Sequence, residues 1–256
     1  MLRNQPSRFP SGYTNRKSSN PLGMSPVGDR SVVQEFSVDF NKTTDINATD
    51  YTTTAVGSST AAVGPGLNGL GLLTTGASTN DAVALVLQNA PFVLVAGSAS
   101  SVGKQLWYKA RLKVSDASLL TFVAGLQVVN TTPAAANTQG VYFRKASATT
   151  ALTGVVCNGT TESNLAIPAT LPSTPVSVVS AVATNTFIDL AFYFNGNLVS
   201  TNDPPMVQFF VNNVLAGSLP LTYIPTGNLS PVLYVRAGEA VSKILTADFV
   251  QIMAER

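Results

Sequence analysis

Hydrophobic and polar residues alternate along most of the chain after residue 104, and a period of two residues predicts β-strands. The clearest example is the segment 105–114. One of its faces carries Leu106, Tyr108, Ala110, Leu112 and Val114, and the other carries Trp107, Lys109, Arg111 and Lys113. We expect the first face to be buried and the second to face outward.

Further strands are predicted wherever short apolar or alternating runs lie between turn residues. They are expected at 32–40, 82–87, 92–96, 119–129, 140–145, 152–157, 163–167, 176–182, 187–194, 206–211, 214–218, 232–236 and 243–253. Turn pairs such as Asn158-Gly159 and Asn212-Asn213 separate several of them and favour antiparallel hairpins. The pattern predicts an all-β fold, an antiparallel β-sandwich of the jelly-roll type, as one domain over residues 31–256.

Three segments lack this pattern. Residues 1–30 contain Pro6, Pro10, Pro21 and Pro26 among Ser, Asn and Gly, and are predicted to form an extended arm that gains order only by lying on another surface. Residues 41–55 are rich in Thr, Asp and Asn and are expected to be a loop. Residues 58–80 are rich in Gly and Ala and are expected to be a flexible or partner-dependent loop.

The composition excludes several kinds of chemistry. Of the 256 residues 11% are charged, none is His, and one is Cys. Without His, neither a Ser-His-Asp triad nor a Cys-His pair can form, and the commonest ligand of zinc is missing. Cys157 cannot form an intramolecular disulfide, and we interpret it as a small buried hydrophobic residue. We therefore expect no cofactor, no metal and no enzyme activity. No apolar run reaches the length of a membrane span, so we expect no membrane association.

Basic residues gather in two places. The arm has a net charge of +4 and includes Arg3, Arg8, Arg16 and Lys17. Because this charge is thin and forms no Lys/Arg block, a protein partner is a better interpretation than nucleic acid. The second place is the basic ladder, Lys109, Arg111 and Lys113 beside Trp107. It fits an ordinary solvent-facing strand with charge protecting a sheet edge, a contact with an acidic protein surface, or a contact with phosphate.

Acidic residues do not form a convincing site in the sequence. Glu35 and Asp39 share a face of a predicted strand, but their Cα atoms would lie about 13 Å apart, farther than the carboxyl groups of a glycosidase. Asp45 and Asp50 flank Asn47, and Asp203 lies in a predicted turn. These groups supply fewer oxygen ligands than a calcium loop needs, so turn formation is the preferred interpretation.

The stretch from about residue 107 to residue 253 contains an ordered series of weak motifs. They are Leu106–Val114, Phe122–Leu126, Gly140–Lys145, Thr186–Phe194, the hairpin Val207–Gly217 and the closing strand Asp248–Ile252. In this order they resemble the concanavalin A-like, or laminin G-like, jelly-roll modules of tailed-phage virion proteins. The resemblance is confined to this stretch and does not extend to residues 1–100.

That resemblance implies a non-enzymatic capsid decoration, or cement, protein that docks across capsid subunits on the virion surface. It also implies a major capsid protein as partner and assembly as a homotrimer. Three alternatives stay open: a jelly-roll major capsid protein, a tail or fibre module that binds glycan, and a secreted lectin or glycanase. A glycan-binding groove would need exposed aromatic residues, for which Trp107, Tyr142 and Tyr193 are the candidates.

Overall fold

The computed structural model describes residues 33–42, 44–65, 69–88, 92–97, 103–173, 177–196 and 206–256. Seventeen strands run through this part of the chain. They are β1 (Val33–Val38), β2 (Tyr51–Val56), β3 (Thr60–Gly64), β4 (Leu70–Thr74), β5 (Ala82–Leu87), β6 (Leu106–Val114), β7 (Leu120–Gln127), β8 (Gly140–Lys145), β9 (Leu152–Cys157), β10 (Glu162–Ile167), β11 (Thr170–Leu171), β12 (Val178–Val179), β13 (Ile188–Asn195), β14 (Met206–Val211), β15 (Val214–Pro220), β16 (Ser230–Ala237) and β17 (Ile244–Glu255).

Two antiparallel sheets form the body. The eight-stranded sheet has the order β15-β14-β13-β6-β17-β4-β3, and β1 pairs with the second half of β17, beyond β4. The seven-stranded sheet has the order β10-β9-β8-β7-β16-β5-β2. The chain crosses repeatedly between the sheets, as in a jelly roll, so the predicted all-β sandwich is confirmed. The one helical element among the described residues is a 3₁₀ turn, Leu221–Tyr223, and none of the described helices could span a membrane.

The core lies between the inner faces of the sheets. Leu106, Tyr108, Ala110, Leu112 and Val114 are 0–1% exposed and belong to this core, which confirms the predicted facing of β6. A run of aromatic rings crosses the core. Tyr108 stacks on Phe192 with 4.8 Å between ring centroids, Phe192 contacts Phe209, and Phe209 meets Phe143 of the other sheet edge-on. Among the described residues the Tyr108 hydroxyl has no hydrogen-bond partner.

Four charged side chains are held at one end of the sandwich. Lys145 is 0% exposed, and its Nζ donates to the carbonyl oxygens of Ser118 and Leu120 at 3.0 and 2.6 Å. Nearby, Lys243 Nζ donates to Asp116 Oδ2 at 2.6 Å and to Glu239 Oε1. Burial lowers the pKa of Lys145 to about 8, although the Asp116 charge opposes this.

Several loop predictions need correction. The expected Gly/Ala-rich loop at 58–80 contains the hairpin β3–β4, and β2 occupies the end of the expected loop at 41–55. Conversely, the expected strand at 92–96 is reduced to a single bridge at Phe92, and that at 176–182 to the two-residue β12. The predicted arm, 1–30, lies outside the described residues.

Candidate functional site

The outer face of the seven-stranded sheet carries a group of polar side chains, of which only Tyr142 was a candidate from the sequence. They come from neighbouring strands of this sheet, and we call them the polar cluster: Gln127, Tyr142, Arg144, Glu162 and Asn164. Strand alternation aims all five away from the core, while their neighbours Phe143 and Val141 point inward.

A forked ion pair forms the centre of the polar cluster. Arg144 Nη1 and Nη2 donate to the two carboxylate oxygens of Glu162 at 3.1 and 2.9 Å, and Nη2 also donates to Asn164 Oδ1 at 3.3 Å. Asn164 Nδ2 donates to Glu162 Oε1 at 3.4 Å. Burial opposes ionisation of Glu162, but hydrogen bonds and charge from Arg144 outweigh it and hold the pKa of Glu162 below its usual range. Glu162 is therefore a fixed anion that orients the Arg144 fork.

The Tyr142 ring lies beside this fork. A Cβ on Gly125 of the adjacent strand would come within 2.6 Å of Tyr142 Cβ, so the glycine makes room for the tyrosine. Tyr142 is 0% exposed, and burial raises the pKa of its hydroxyl. Gln127 Nε2 donates to the Pro133 carbonyl at 2.9 Å and ties the loop after β7 to the sheet. Tyr142 Oη and Gln127 Oε1 are buried, and neither atom has a hydrogen-bond partner among the described residues.

Cys157 borders the polar cluster on β9. It is 0% exposed and packs with Val155 and Tyr142. Burial raises the pKa of its thiol, and the Gly159 amide donates to Sγ at 3.3 Å. These contacts confirm the prediction of a small buried hydrophobic residue.

The basic ladder lies on the outer face of the other sheet and is largely neutralised there. Asp189 stands opposite Arg111 on β13, and a register shift in β17 brings Asp248 close, so both aspartates lie within 3.8 Å of Arg111 Nε. Asp189 also pairs with Lys109 at 3.6 Å. Lys113 and Arg111 both lie over the Phe187 ring. β6 is flanked by β13 and β17, so the idea of charge protecting an edge strand is wrong.

The three aromatic candidates do not form one groove. Trp107 and Tyr193 lie side by side on the eight-stranded sheet, with 5.2 Å between ring centroids. Tyr142 lies on the other sheet. Trp107 is only 5% exposed and Tyr142 is fully buried, so neither offers an open ring face.

The acidic candidates stay apart. Glu35 is on β1, whereas Asp39 lies beyond the end of that strand. Asn47 Oδ1 accepts hydrogen bonds from the amides of Thr49 and Asp50, and Asp45 Oδ2 accepts one from the Lys42 amide, which is turn formation as predicted. Within the described ranges, no three Cys, Asp or Glu side chains come close enough to share a metal ion.

The remaining predicted residues, Arg3, Arg8, Arg16 and Lys17, fall outside the described residues, as does Asp203. The residues of the polar cluster left only a weak signal in the sequence. Arg144 and Glu162 break runs of apolar and hydroxyl residues, but their pairing depends on the register of three strands.

Comparison with solved structures shows the fold. The chain is similar to the carbohydrate recognition domain of Emp47p, with a TM-score of 0.56 and 11% identity over 88% of this chain and 98% of that one. It is also similar to a prokaryotic β-1,3-1,4-glucanase from a mouse hindgut metagenome, with a TM-score of 0.53 and 9% identity over 86% and 98%. Similarity to the Bacillus licheniformis β-glucanase has a TM-score of 0.53 and 10% identity over 85% of this chain and 97% of that one.

No protein-family model matches the chain, and no curated protein matches it significantly. The sandwich thus shares its jelly-roll fold with this carbohydrate recognition domain and these glucanases. Sequence identities this low carry the likeness no further than the fold.

Proposed function

We propose that this chain is a non-catalytic jelly-roll module that binds a neutral glycan at the polar cluster. The observation that carries the proposal is the Arg144–Glu162–Asn164 fork on an outer sheet face. Glycan sites combine a few fixed hydrogen-bonding groups with a rigid support, and here strand pairing supplies the support. Asn164 is exposed and Arg144 is partly exposed, so both can reach a ligand hydroxyl.

The charges of this face favour binding over hydrolysis. Glycoside hydrolysis needs two carboxyl groups about 5 to 9.5 Å apart, one of them with a raised pKa. Among the described outward-facing residues of the seven-stranded sheet, Glu162 is the single carboxylate, and its pKa is lowered. Glu162 is ion-paired with Arg144 and can help to orient hydrogen-bonding groups toward a glycan. It lacks the second carboxyl group that acid–base catalysis of glycoside hydrolysis needs.

The test is calorimetric titration of the full chain with mixed-linkage β-glucan oligosaccharides, after a screen on a defined glycan array. Asn164→Ala should weaken binding about five- to tenfold, because one hydrogen bond contributes roughly 1 kcal/mol. Arg236→Lys, on the same face but across the sheet, is the matched control and should leave binding unchanged. Absence of glycan binding by the wild type would refute the proposal. Release of reducing sugar that Glu162→Gln abolishes would replace it with a glycanase.

A second proposal keeps the virion interpretation, in which the chain docks as a homotrimer on a capsid protein. It is supported by the edge strands β2 and β3, whose sequences YTTTAV and TAAVG contain no charged residue. Native proteins commonly protect edges with charge, and a neutral edge suits main-chain pairing with another subunit. Antibody labelling of native particles tests this location, and unlabelled particles would contradict it.

A further inference from the structure

A cleft opens between the two sheets, lined by β1 of the eight-stranded sheet and by β2 and β5 of the seven-stranded sheet. Its volume is about 520 Å³, within the range of about 300 to 1,000 Å³ that is usual for small-molecule sites. Apolar side chains from these three strands form one wall: Phe36, Val38, Tyr51 and Leu87. The polar cluster lies toward the opposite edge of the seven-stranded sheet, so the cleft is a separate place on the molecule.

The connection from β1 to β2 supplies the polar side chains of the cleft, which are Lys42, Asp45, Asn47 and Asp50. Asp45 Oδ2 accepts a hydrogen bond from the Lys42 amide at 2.9 Å, and Asp50 Oδ2 accepts one from Asn47 Nδ2 at 2.8 Å. Each bond orients a carboxylate through one oxygen, so the other oxygen stays able to bind a ligand. Neither carboxylate forms an ion pair within the described part of the chain, whereas Glu162 is paired.

Tyr51 places a hydroxyl group near these carboxylates. The residue is only 8% exposed, and among the described residues its hydroxyl has no hydrogen-bond partner. Burial, and then the negative charges of Asp50 and Asp45, raise the pKa of this hydroxyl to about 12, so it is neutral at physiological pH. A buried and unpaired phenol oxygen beside two anions can accept a hydrogen bond from a cationic donor that those anions attract.

We propose that this cleft binds a small organic cation with an apolar body, such as an arylalkyl ammonium ion. The ammonium group donates hydrogen bonds to Asp45, Asp50 and the Tyr51 hydroxyl, which together satisfy its N–H donors. The apolar body lies against Phe36 and Val38. An aromatic ring close to the ammonium group adds a cation–π attraction.

Charge and lining distinguish this ligand from other classes. The described lining residues carry a net charge of −1, with Lys42 set against two aspartates, which favours a cation over an anion. A calcium ion needs about six to eight oxygen ligands and gains nothing from an apolar wall. Within the described ranges no group of three acidic side chains could hold a metal ion. A neutral ligand of the same shape would leave both carboxylates without a counter-charge.

The test is calorimetric titration of the full chain with phenethylammonium, and with phenethyl alcohol and phenylacetate as its neutral and anionic analogues. We expect the cation to bind about tenfold more tightly than the alcohol, and the anion not to bind. Raising NaCl from about 0.1 to 1 M should weaken binding of the cation several-fold, because salt screens charges near the surface. Equal affinity for the cation and the alcohol, displacement of the cation by calcium, or no binding of the cation would overturn the proposal.

Variants locate the binding. The double variant Asp45→Asn, Asp50→Asn keeps the side-chain size and an oxygen that can accept each loop hydrogen bond, and it should abolish binding of phenethylammonium. The matched control Asp39→Asn removes an exposed charge outside the lining of the cleft and should leave the affinity unchanged. Tyr51→Phe removes a single oxygen and should weaken binding about tenfold, which keeps the proposal testable if the double variant folds poorly. Unchanged affinity in Tyr51→Phe or in the folded double variant would place the ligand elsewhere and overturn the proposal.

Discussion

Replacing Tyr108 by Phe should stabilise the protein. The Tyr108 ring is 0% exposed and stacks on Phe192, but among the described residues its hydroxyl has no hydrogen-bond partner. Burial also raises the pKa of this hydroxyl, as expected for a polar group removed from water. The substitution removes the oxygen and keeps the ring stack.

The size of the effect follows from the cost of burying an unpaired hydroxyl. That cost is about 1 to 3 kcal/mol, so Tyr108→Phe should raise the free energy of unfolding by up to this amount. For a chain of this length, each kcal/mol corresponds to about 2 to 4 °C in Tm. The shift should appear as a higher urea midpoint with an unchanged m-value.

The matched control is Tyr193→Phe, because Tyr193 is only half-buried on the outer face of the same sheet. We expect the control to stay within about 0.5 kcal/mol of the wild type. A loss of more than about 0.5 kcal/mol in Tyr108→Phe would show that the hydroxyl makes a stabilising contact, and the reasoning from its isolation would be wrong.

Three further predictions concern charge and backbone. The pKa of Lys145 is about 8 in the folded protein and 10.5 in the unfolded chain, so the free energy of unfolding should rise with pH between these two values. Lys145→Met should abolish this rise, as measured by urea unfolding at a series of pH values. Asn213 has a φ of 67° in the β14–β15 turn, so Asn213→Val should cost about 1 to 2 kcal/mol in the same assay, and Asn213→Gly should be tolerated. Asp189 and Asp248 neutralise the basic ladder, so the wild-type protein should elute from a heparin column at low salt. The double variant Asp189→Asn, Asp248→Asn should elute later, because it leaves the ladder's positive charge unpaired. Late elution of the wild type would contradict the neutralisation.

Strands were predicted best where alternation and turns agreed. The bounds of β5, β8, β9 and β14 match the prediction to the residue, and β9 and β14 lie directly before the predicted turn pairs Asn158-Gly159 and Asn212-Asn213. The pair Asn212-Asn213 adopts positive φ at both positions, as expected for a two-residue hairpin turn. Local sequence was sufficient here because turn and strand preferences favour the same structure.

The segment 58–80 failed because its strands depend on distant partners. Leu73 is 0% exposed, and β4 pairs with β17, the last strand of the chain. Gly71 serves packing, since a Cβ there would come within 2.9 Å of the Phe40 ring. The Gly- and Ala-rich composition of this segment suggested a flexible loop. In the structure, contacts with distant strands determine its conformation and leave room only for small residues such as Gly71.

The polar cluster was missed for a related reason. Arg144 lies on β8 and Glu162 and Asn164 lie on β10, and they meet because β9 pairs with both strands in a particular register. A shift of one residue would turn Glu162 toward the core. Register depends on the whole sheet, so a single sequence without strand partners cannot place these side chains together.

The pairing of charges leads to a last prediction, on the salt dependence of glycan binding. Arg144 is paired with Glu162, Arg111 with Asp189 and Asp248, and Lys243 with Asp116, so much of the sparse charge is already committed within the chain. A ligand of the polar cluster would then be held by hydrogen bonds to neutral hydroxyls. Raising NaCl from about 0.1 to 1 M shortens the Debye length from about 10 to 3 Å. In calorimetry the affinity for a neutral oligosaccharide should stay constant over this range, because no net charge is brought together. A steep fall in affinity with salt would mean that the site recognises an acidic glycan, with Arg144 leaving Glu162 to bind it.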